Sequence, residues 1–185
     1  MDKQLMRKQF LALRKAMPAE ERAKKSAAIQ KAILQSPAYQ NADWLFTYIN
    51  MGAEVETIPL IEQAWRDGKE VAVPVAKANR VMYFVKITTL DGMHRTKLGV
   101  YEPDIPMEEQ VFPTKDTLFL VPGSVFDRQK NRCGYGGGYY DTYTETHQVQ
   151  HTVGICYDFQ VAPAIPVEPF DRPLSLIYTE RRTIF

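Results

Sequence analysis

The stretch from Trp44 to Pro74, WLFTYINMGAEVETIPLIEQAWRDGKEVAVP, decides the fold. Trp44 to Ile49 is a short apolar, aromatic run, the pattern of a buried strand. Met51 to Glu56 follows as a loop carrying Glu54 and Glu56. Thr57 suits the cap of a helix with Pro59 in its first turn, and Ile58, Ile61, Ala64 and Trp65 supply its inner face. Asp67-Gly68 ends that helix, and Glu70 to Pro74 reads as the next strand. Strand, helix and strand in such close succession predict a mostly parallel sheet with right-handed crossovers. Ligands in such sheets sit beyond the carboxyl ends of the strands. Glu54 falls in that place, although acidic residues in a loop are usually just solvated.

Toward the carboxyl end, Val81 to Ile87 alternates and suits an antiparallel strand. Gly92 to Pro113 is irregular, punctuated by Gly99, Pro103 and Pro106, and includes Gly99-Val100-Tyr101-Glu102-Pro103. Loops of this length in a domain are often functional. Thr117 to Val121 is a buried strand ending at the Pro122-Gly123 turn. Thr152 to Cys156 and Leu174 to Thr179 are further strands. Val161 to Pro173, rich in proline, is read as irregular and carries Glu168 and Asp171. Toward the amino end, Asp2 to Ala16 is helical in composition. A second helix starts at Pro18, with Glu20 and Glu21 near its positive end, and stops at Ser36-Pro37. The expectation is one α/β domain over residues 1–185: an open, mostly parallel three-layer sheet, with an antiparallel helix pair (residues 1–36) packed on it.

The first helix carries two stripes. Met6, Phe10, Leu13 and Met17 form an apolar one. Lys3, Arg7 and Arg14 form a basic one; at about 100° per residue they fall within roughly 40° of one another. That line borders the apolar seam, so it either faces a cleft holding an anion or is a solvated flank snorkelling over the core edge.

A second dense signal is Asn131-Arg132-Cys133-Gly134-Tyr135-Gly136-Gly137-Gly138-Tyr139-Tyr140-Asp141. Tyr139 to Thr146 can form a helix after it. Glycine tolerates positive φ and lets backbone approach a ligand, and amides converging at a helix start bind anions. Arg132 could add a fork of donors, and Asp141 could hold a metal against phosphates. The stretch is neither a P-loop, which needs Lys-Ser or Lys-Thr after its last glycine, nor a dinucleotide fingerprint, which needs glycine at Tyr139. A tight turn closing a strand–helix corner and an anion cradle both fit.

Charge and composition exclude other classes. The net charge of +1 argues against a dedicated nucleic-acid binder. No apolar run reaches membrane-spanning length, and the charged amino end lacks a signal-peptide core. Cys133 and Cys156 are too few for a disulfide framework, so a soluble, reducing, cytoplasmic setting is expected. His94, His147 and His151 show no metal-ligand spacing, and no Gly-x-Ser-x-Gly elbow exists.

Together these residues resemble the 5-formyltetrahydrofolate cyclo-ligases, also called methenyltetrahydrofolate synthetases. Val121-Pro122-Gly123 with Phe126-Asp127, Asn131-Arg132 and Gly136-Gly137-Gly138-Tyr139-Tyr140-Asp141 is similar to that family's nucleotide loop. Lys3, Arg7 and Arg14 are similar to its basic first helix. Glu54-Val55-Glu56-Thr57 and Gly99 to Pro103 resemble two further segments, so the likeness spans essentially the whole chain. Where the family usually has Leu and Arg, this chain has Cys133 and Tyr135. Losing arginine removes a charge and up to five donors, while Tyr135 offers a ring that can stack.

The resemblance implies conversion of 5-formyltetrahydrofolate to 5,10-methenyltetrahydrofolate with ATP and Mg²⁺. It implies ATP binding by Lys3, Arg7, Arg132, Cys133, Gly134, Tyr135, Gly136, Gly137, Gly138, Tyr139 and Tyr140. Folate binding is implied for Ile49, Glu54, Tyr135, Gly136, Gly137, Gly138 and Tyr139, and metal binding for Asp141 and Asp171. Partners are then small molecules, with no nucleic acid or membrane, and the chain is expected to be a monomer. Two other readings stand beside it: a non-catalytic nucleotide-binding regulatory module, and a sugar-phosphate isomerase-like enzyme.

Overall fold

Alternation along the strands builds the molecule, described for residues 2–97, 99–169 and 171–185 of a computed structural model. The helices are α1 (Lys3–Ala16), α2 (Ala19–Leu34), α3 (Pro37–Gln40), α4 (Ile58–Arg66) and α5 (Tyr139–Thr146). The strands are β1 (Trp44–Phe46), β2 (Glu70–Ala76), β3 (Met82–Ile87), β4 (His94–Arg95), β5 (Tyr101–Glu102), β6 (Gln110–Val111), β7 (Thr117–Val121), β8 (Val125–Asp127), β9 (Arg132–Cys133), β10 (Thr152–Ile155), β11 (Val161–Ala162), β12 (Leu176–Tyr178) and β13 (Thr183–Ile184).

The main sheet has the order β13-β12-β10-β7-β1-β2-β3-β6. Its centre, β12 through β2, is parallel. β13 closes one edge and β3 with β6 the other, all antiparallel. The expected open, mostly parallel sheet is therefore present. Leu45, Leu118 and Leu120 point to one face, where Ile29 and Ile33 of α2 and Leu60, Ile61 and Ala64 of α4 cover them. Phe46, Phe119 and Val121 point to the other, under Tyr143 of α5. Successive strand residues face opposite ways, so one apolar run feeds both layers. The aromatic layer is tight: Phe46 and Phe84 stack at 5.0 Å, and Tyr143 lies over Phe119 at 5.9 Å.

The strand order makes a switch point. After β1 the chain crosses through α4 to β2 on one side; after β7 it proceeds to β10 on the other. In such sheets ligands sit where the connections of neighbouring strands part, here beyond the carboxyl ends of β1 and β7. Glu54 follows β1, and Gly123 follows β7.

Several local expectations change. The path from β7 to the glycine loop is not direct: β8 and β9 form a hairpin, joined by β11 into a small second sheet. These strands are too short to show a pattern in sequence. α1 lies on this sheet, where Met6 packs with Val125, Cys133, Ala162 and Ile165, and Phe10 joins them. Leu13, assigned to the apolar stripe, is 57 % exposed, whereas Arg14 beside it is buried. α2 instead packs on the main sheet near β12. Thr57 makes no side-chain cap to α4. Its hydroxyl donates to the Tyr48 carbonyl (2.6 Å) and accepts the Asn50 amide (3.0 Å), tying the end of β1 to the start of α4. The 92–113 loop contains the β4–β5 ribbon and β6, and residues 161–162 are strand.

Candidate active site at the switch point

The basic line of α1 faces inward. Arg7 Nε donates to the Gly134 carbonyl at 2.8 Å, and its guanidinium lies 3.7 Å from where a Cβ on Gly136 would stand. Lys3 Nζ pairs with Glu168 at 2.8 Å and with Asp171. Arg14 Nη2 donates to the Tyr135 hydroxyl at 2.9 Å, and its Nη1 donates to the Gly123 carbonyl at 3.3 Å. The two signals most distant in sequence thus meet. An open groove of about 570 Å³ lies along this meeting line, lined by Lys3, Arg7, Gly136, Pro166 and Glu168.

The glycine loop has the backbone its composition suggests. Gly136 has φ +98° and Gly138, the residue before α5, has φ +70°. Both values lie where a side chain strains the backbone. Arg80 lies over Gly138, its Nε and Cζ at ordinary contact distance, 3.5 and 3.6 Å, from a Cβ built there. Arg80 comes from the β2–β3 hairpin, in a turn where Asn79 and Arg80 both have positive φ (58° and 61°). Such a turn usually carries glycine at its second central position. The Tyr139 hydroxyl donates to the Lys77 carbonyl at 2.9 Å and pins the hairpin onto the loop. Sequence reasoning missed Arg80. The Asn79-Arg80 pair between two strand runs signals a turn, but not where the turn lands.

The other loop residues divide by role. The Cys133 thiol is buried beneath α1, against Met6 and within 3.6 Å of an Arg7 nitrogen, so any ligand contact there is left to backbone. Arg132 is buried; its guanidinium donates to the Pro122 carbonyl (3.1 Å) and pairs with Asp141 (2.9 Å). A Cβ on Gly134 would meet Arg132 Nη1 at 2.6 Å, and one on Gly137 would meet the Tyr139 ring at 2.7 Å. Tyr140 packs its ring against Phe84 and Phe119, with the Arg132 guanidinium 5.8 Å from the ring centre. Among the described residues its buried hydroxyl has no hydrogen-bond partner.

Opposite the loop lies Glu54, 4 % exposed. It accepts the Met51 amide at 2.8 Å on one oxygen and the Tyr135 hydroxyl on the other. Burial pushes its carboxyl pKa up, against the Tyr135 and Met51 hydrogen bonds and the Arg14 charge, which pull it down. Burial, and then Glu54, push the Tyr48, Tyr135 and Tyr140 phenols up, so all three stay protonated. Burial works against the charge on Arg14, but Tyr135 and Glu54 outweigh it and hold its pKa above the ordinary value. Ile49 is buried in the core cluster that also holds Tyr48 and Val55.

Asp141 and Asp171 each offer a carboxylate. Asp141 sits in the first turn of α5 against Arg132, and Asp171 accepts from Lys3 and the Glu168 amide. No group of three or more acidic, histidine or cysteine ligands occurs among the described residues. Carboxylates without a third protein ligand suit an open Mg²⁺ site completed by other oxygens and not a closed protein cage; here Asp141 is paired with Arg132 and Asp171 with Lys3.

A sequence profile described as the 5-formyltetrahydrofolate cyclo-ligase family matches residues 1–180. The chain belongs to this family. It is thereby an enzyme, which sets aside the regulatory-module reading, and its family is one of ligases, which sets aside the isomerase reading. A 5-formyltetrahydrofolate cyclo-ligase of Mus musculus is 30 % identical over 179 residues, covering 90 % of this chain and 87 % of its own length. That of Escherichia coli K12 is 27 % identical over 170 residues, covering 90 % and 93 %. An NMR structure of Aquifex aeolicus 5,10-methenyltetrahydrofolate synthetase superposes with a TM-score of 0.82 at 27 % identity, covering 99 % of this chain and 92 % of that one. Among the described residues no helix is long and apolar enough to cross a membrane.

Proposed function

We propose that this cyclo-ligase converts 5-formyltetrahydrofolate to 5,10-methenyltetrahydrofolate, using ATP and releasing ADP and phosphate. The carrying observation is the closure of α1 on the glycine loop, with Arg7 bonded to Gly134 at 2.8 Å, opposite a buried carboxylate. Cations and glycine-loop amides on one side suit a triphosphate. Glu54 on the other suits a pterin, whose ring presents adjacent N–H donors to a carboxylate.

The chemistry follows from that pairing. A formamide oxygen is a poor leaving group. Transfer of the γ-phosphoryl group to it breaks the bond to ADP and gives an imidate phosphate. N10 of the same molecule then attacks the formyl carbon and gives up its proton. The C–O bond breaks, and the oxygen leaves with phosphate. Ring closure is intramolecular, so holding the folate in place supplies much of the acceleration. The residues position and neutralise charge, as in other phosphoryl transfers. Lys3, Arg7 and the 132–140 backbone bind the phosphates; Ile49, Glu54 and Tyr135 hold the pterin. Asp141 and Asp171 would hold Mg²⁺, which neutralises phosphate charge when bound. We read the chain as a cytoplasmic monomer.

The test mixes protein, ATP, Mg²⁺ and 5-formyltetrahydrofolate and follows methenyl absorbance in the near ultraviolet. An ATP-dependent rise is expected; its absence defeats the reading. Asp141→Ala should weaken Mg·ATP use far more than folate binding, and equal loss of both would remove Asp141 from the metal.

A further inference from the structure

We propose that Arg14 and Tyr135 form a relay that holds Glu54 for the pterin ring, so that the cations of α1 divide between two ligands. Lys3 and Arg7 serve the triphosphate, and Arg14 serves the folate. The inference rests on the ligase reading and deepens it.

The three cations share a stripe but not an environment. Arg7 borders the open groove and touches a backbone carbonyl and the position beside Gly136. Arg14 is 7 % exposed, and both its terminal nitrogens are bonded inside the protein, to Gly123 and Tyr135. Its guanidinium carbon stands 5.6 Å from the Tyr135 ring centre. A side chain so enclosed is placed for Glu54 and not for a phosphate in the groove.

The direction of the bonds defines the relay. Tyr135 accepts from the Arg14 guanidinium and donates to Glu54. Accepting from a cation polarises the O–H bond, so its donation strengthens. Glu54 is faced by the Met51 amide, Tyr135 from the glycine loop, Tyr48 at the end of β1, Tyr140 on α5 and Arg14 on α1. Arg14 is the cation among them. A carboxylate this buried tends to take up a proton unless it is paired and hydrogen-bonded. Protonated, it would present the pterin with a competing donor; ionised, it accepts on both oxygens. Each Glu54 oxygen has one bond in the structure and retains a further acceptor site. Arg14 is thus a positioning residue, acting through Tyr135.

The test compares Arg14→Met, Arg14→Lys and Tyr135→Phe. It measures both Michaelis constants, and folate binding without ATP by calorimetry from about pH 5 to about pH 8, spanning a raised carboxyl pKa. Arg14→Met is expected to weaken folate binding about tenfold, the effect of one charge-assisted bond. It should leave the constant for ATP within about twofold and move the acid limb of folate binding to higher pH. Arg14→Lys should return that limb toward the wild-type position. Tyr135→Phe keeps Arg14 on Gly123 and should weaken folate binding comparably, so the test survives if Arg14→Met fails to fold. The double variant should be little worse than either single one, since coupled residues are not additive. A raised ATP constant with unchanged folate binding would make Arg14 a phosphate ligand and overturn the relay. So would a lowered melting temperature with both constants and the pH limb unmoved. If wild type turns over nothing but binds folate, the ligase reading falls while the binding comparison still decides the relay.

Discussion

The two ends of α1 carry the same kind of charge and do different work. At its start, Lys3 meets the carboxylates of Glu168 and Asp171, and Arg7 borders an open groove. Two turns on, Arg14 lies under protein with its nitrogens on Gly123 and Tyr135. A partly solvated cation can exchange one anionic partner for another at little cost, because water screens both states. A buried cation cannot, since stripping it of its partner leaves an uncompensated charge. Burial, not residue type, therefore sorts the stripe into an exchangeable half and a fixed half.

The sharpest way to break this division is at Glu54. Glu54→Gln keeps the shape and removes the charge. Folate should then bind roughly 100-fold more weakly, the difference between charged and neutral pairing to two donors, with the ATP constant unchanged. Stability should move the opposite way. The Glu54 pKa is raised in the folded protein, so its contribution is present below the unfolded carboxyl pKa and is lost as pH rises through the raised value. Wild type should lose melting temperature across that window, and Glu54→Gln should not. A melt that drops in the variant at neutral pH would contradict the burial argument.

The exchangeable half comes next. Lys3→Ala combined with Arg7→Ala should raise the Michaelis constant for ATP by about 30-fold, the effect of removing two charge-assisted hydrogen bonds to phosphate, without changing that for folate. An unchanged ATP constant would return this half of the helix to a solvated flank. The smallest effect is expected at Arg80, which is exposed above Gly138. Arg80→Ala should raise the ATP constant about threefold at low salt, less at high salt, as for a screened surface charge. Equal effects at both salt concentrations would argue against an electrostatic role.

The parallel sheet was legible because strands buried on both faces read as continuous apolar runs, and the Trp44–Pro74 unit contains one complete crossover. Glu54 was legible as a position, since the residue after a central strand is where ligands sit. Its burial was not. A loop carboxylate is ordinarily solvated, and the roof over this one comes from Tyr135 and Arg14, distant in sequence by 81 and 40 residues. A helical wheel placed Arg14 at the edge of the apolar seam and Leu13 within it. The reversal comes from the β11-β8-β9 sheet beneath α1, whose two- and three-residue strands leave no periodic trace. The glycine loop announced itself by composition, but the hairpin that sets Arg80 over it is a tertiary event.

One structure decides the division directly: a crystal of the protein with 5-formyltetrahydrofolate and a non-hydrolysable ATP analogue. The triphosphate should lie against Arg7 and the 134–138 backbone, with the pterin on Glu54 and Arg14 still bonded to Tyr135. A triphosphate bonded to Arg14, or a pterin away from Glu54, would contradict the account.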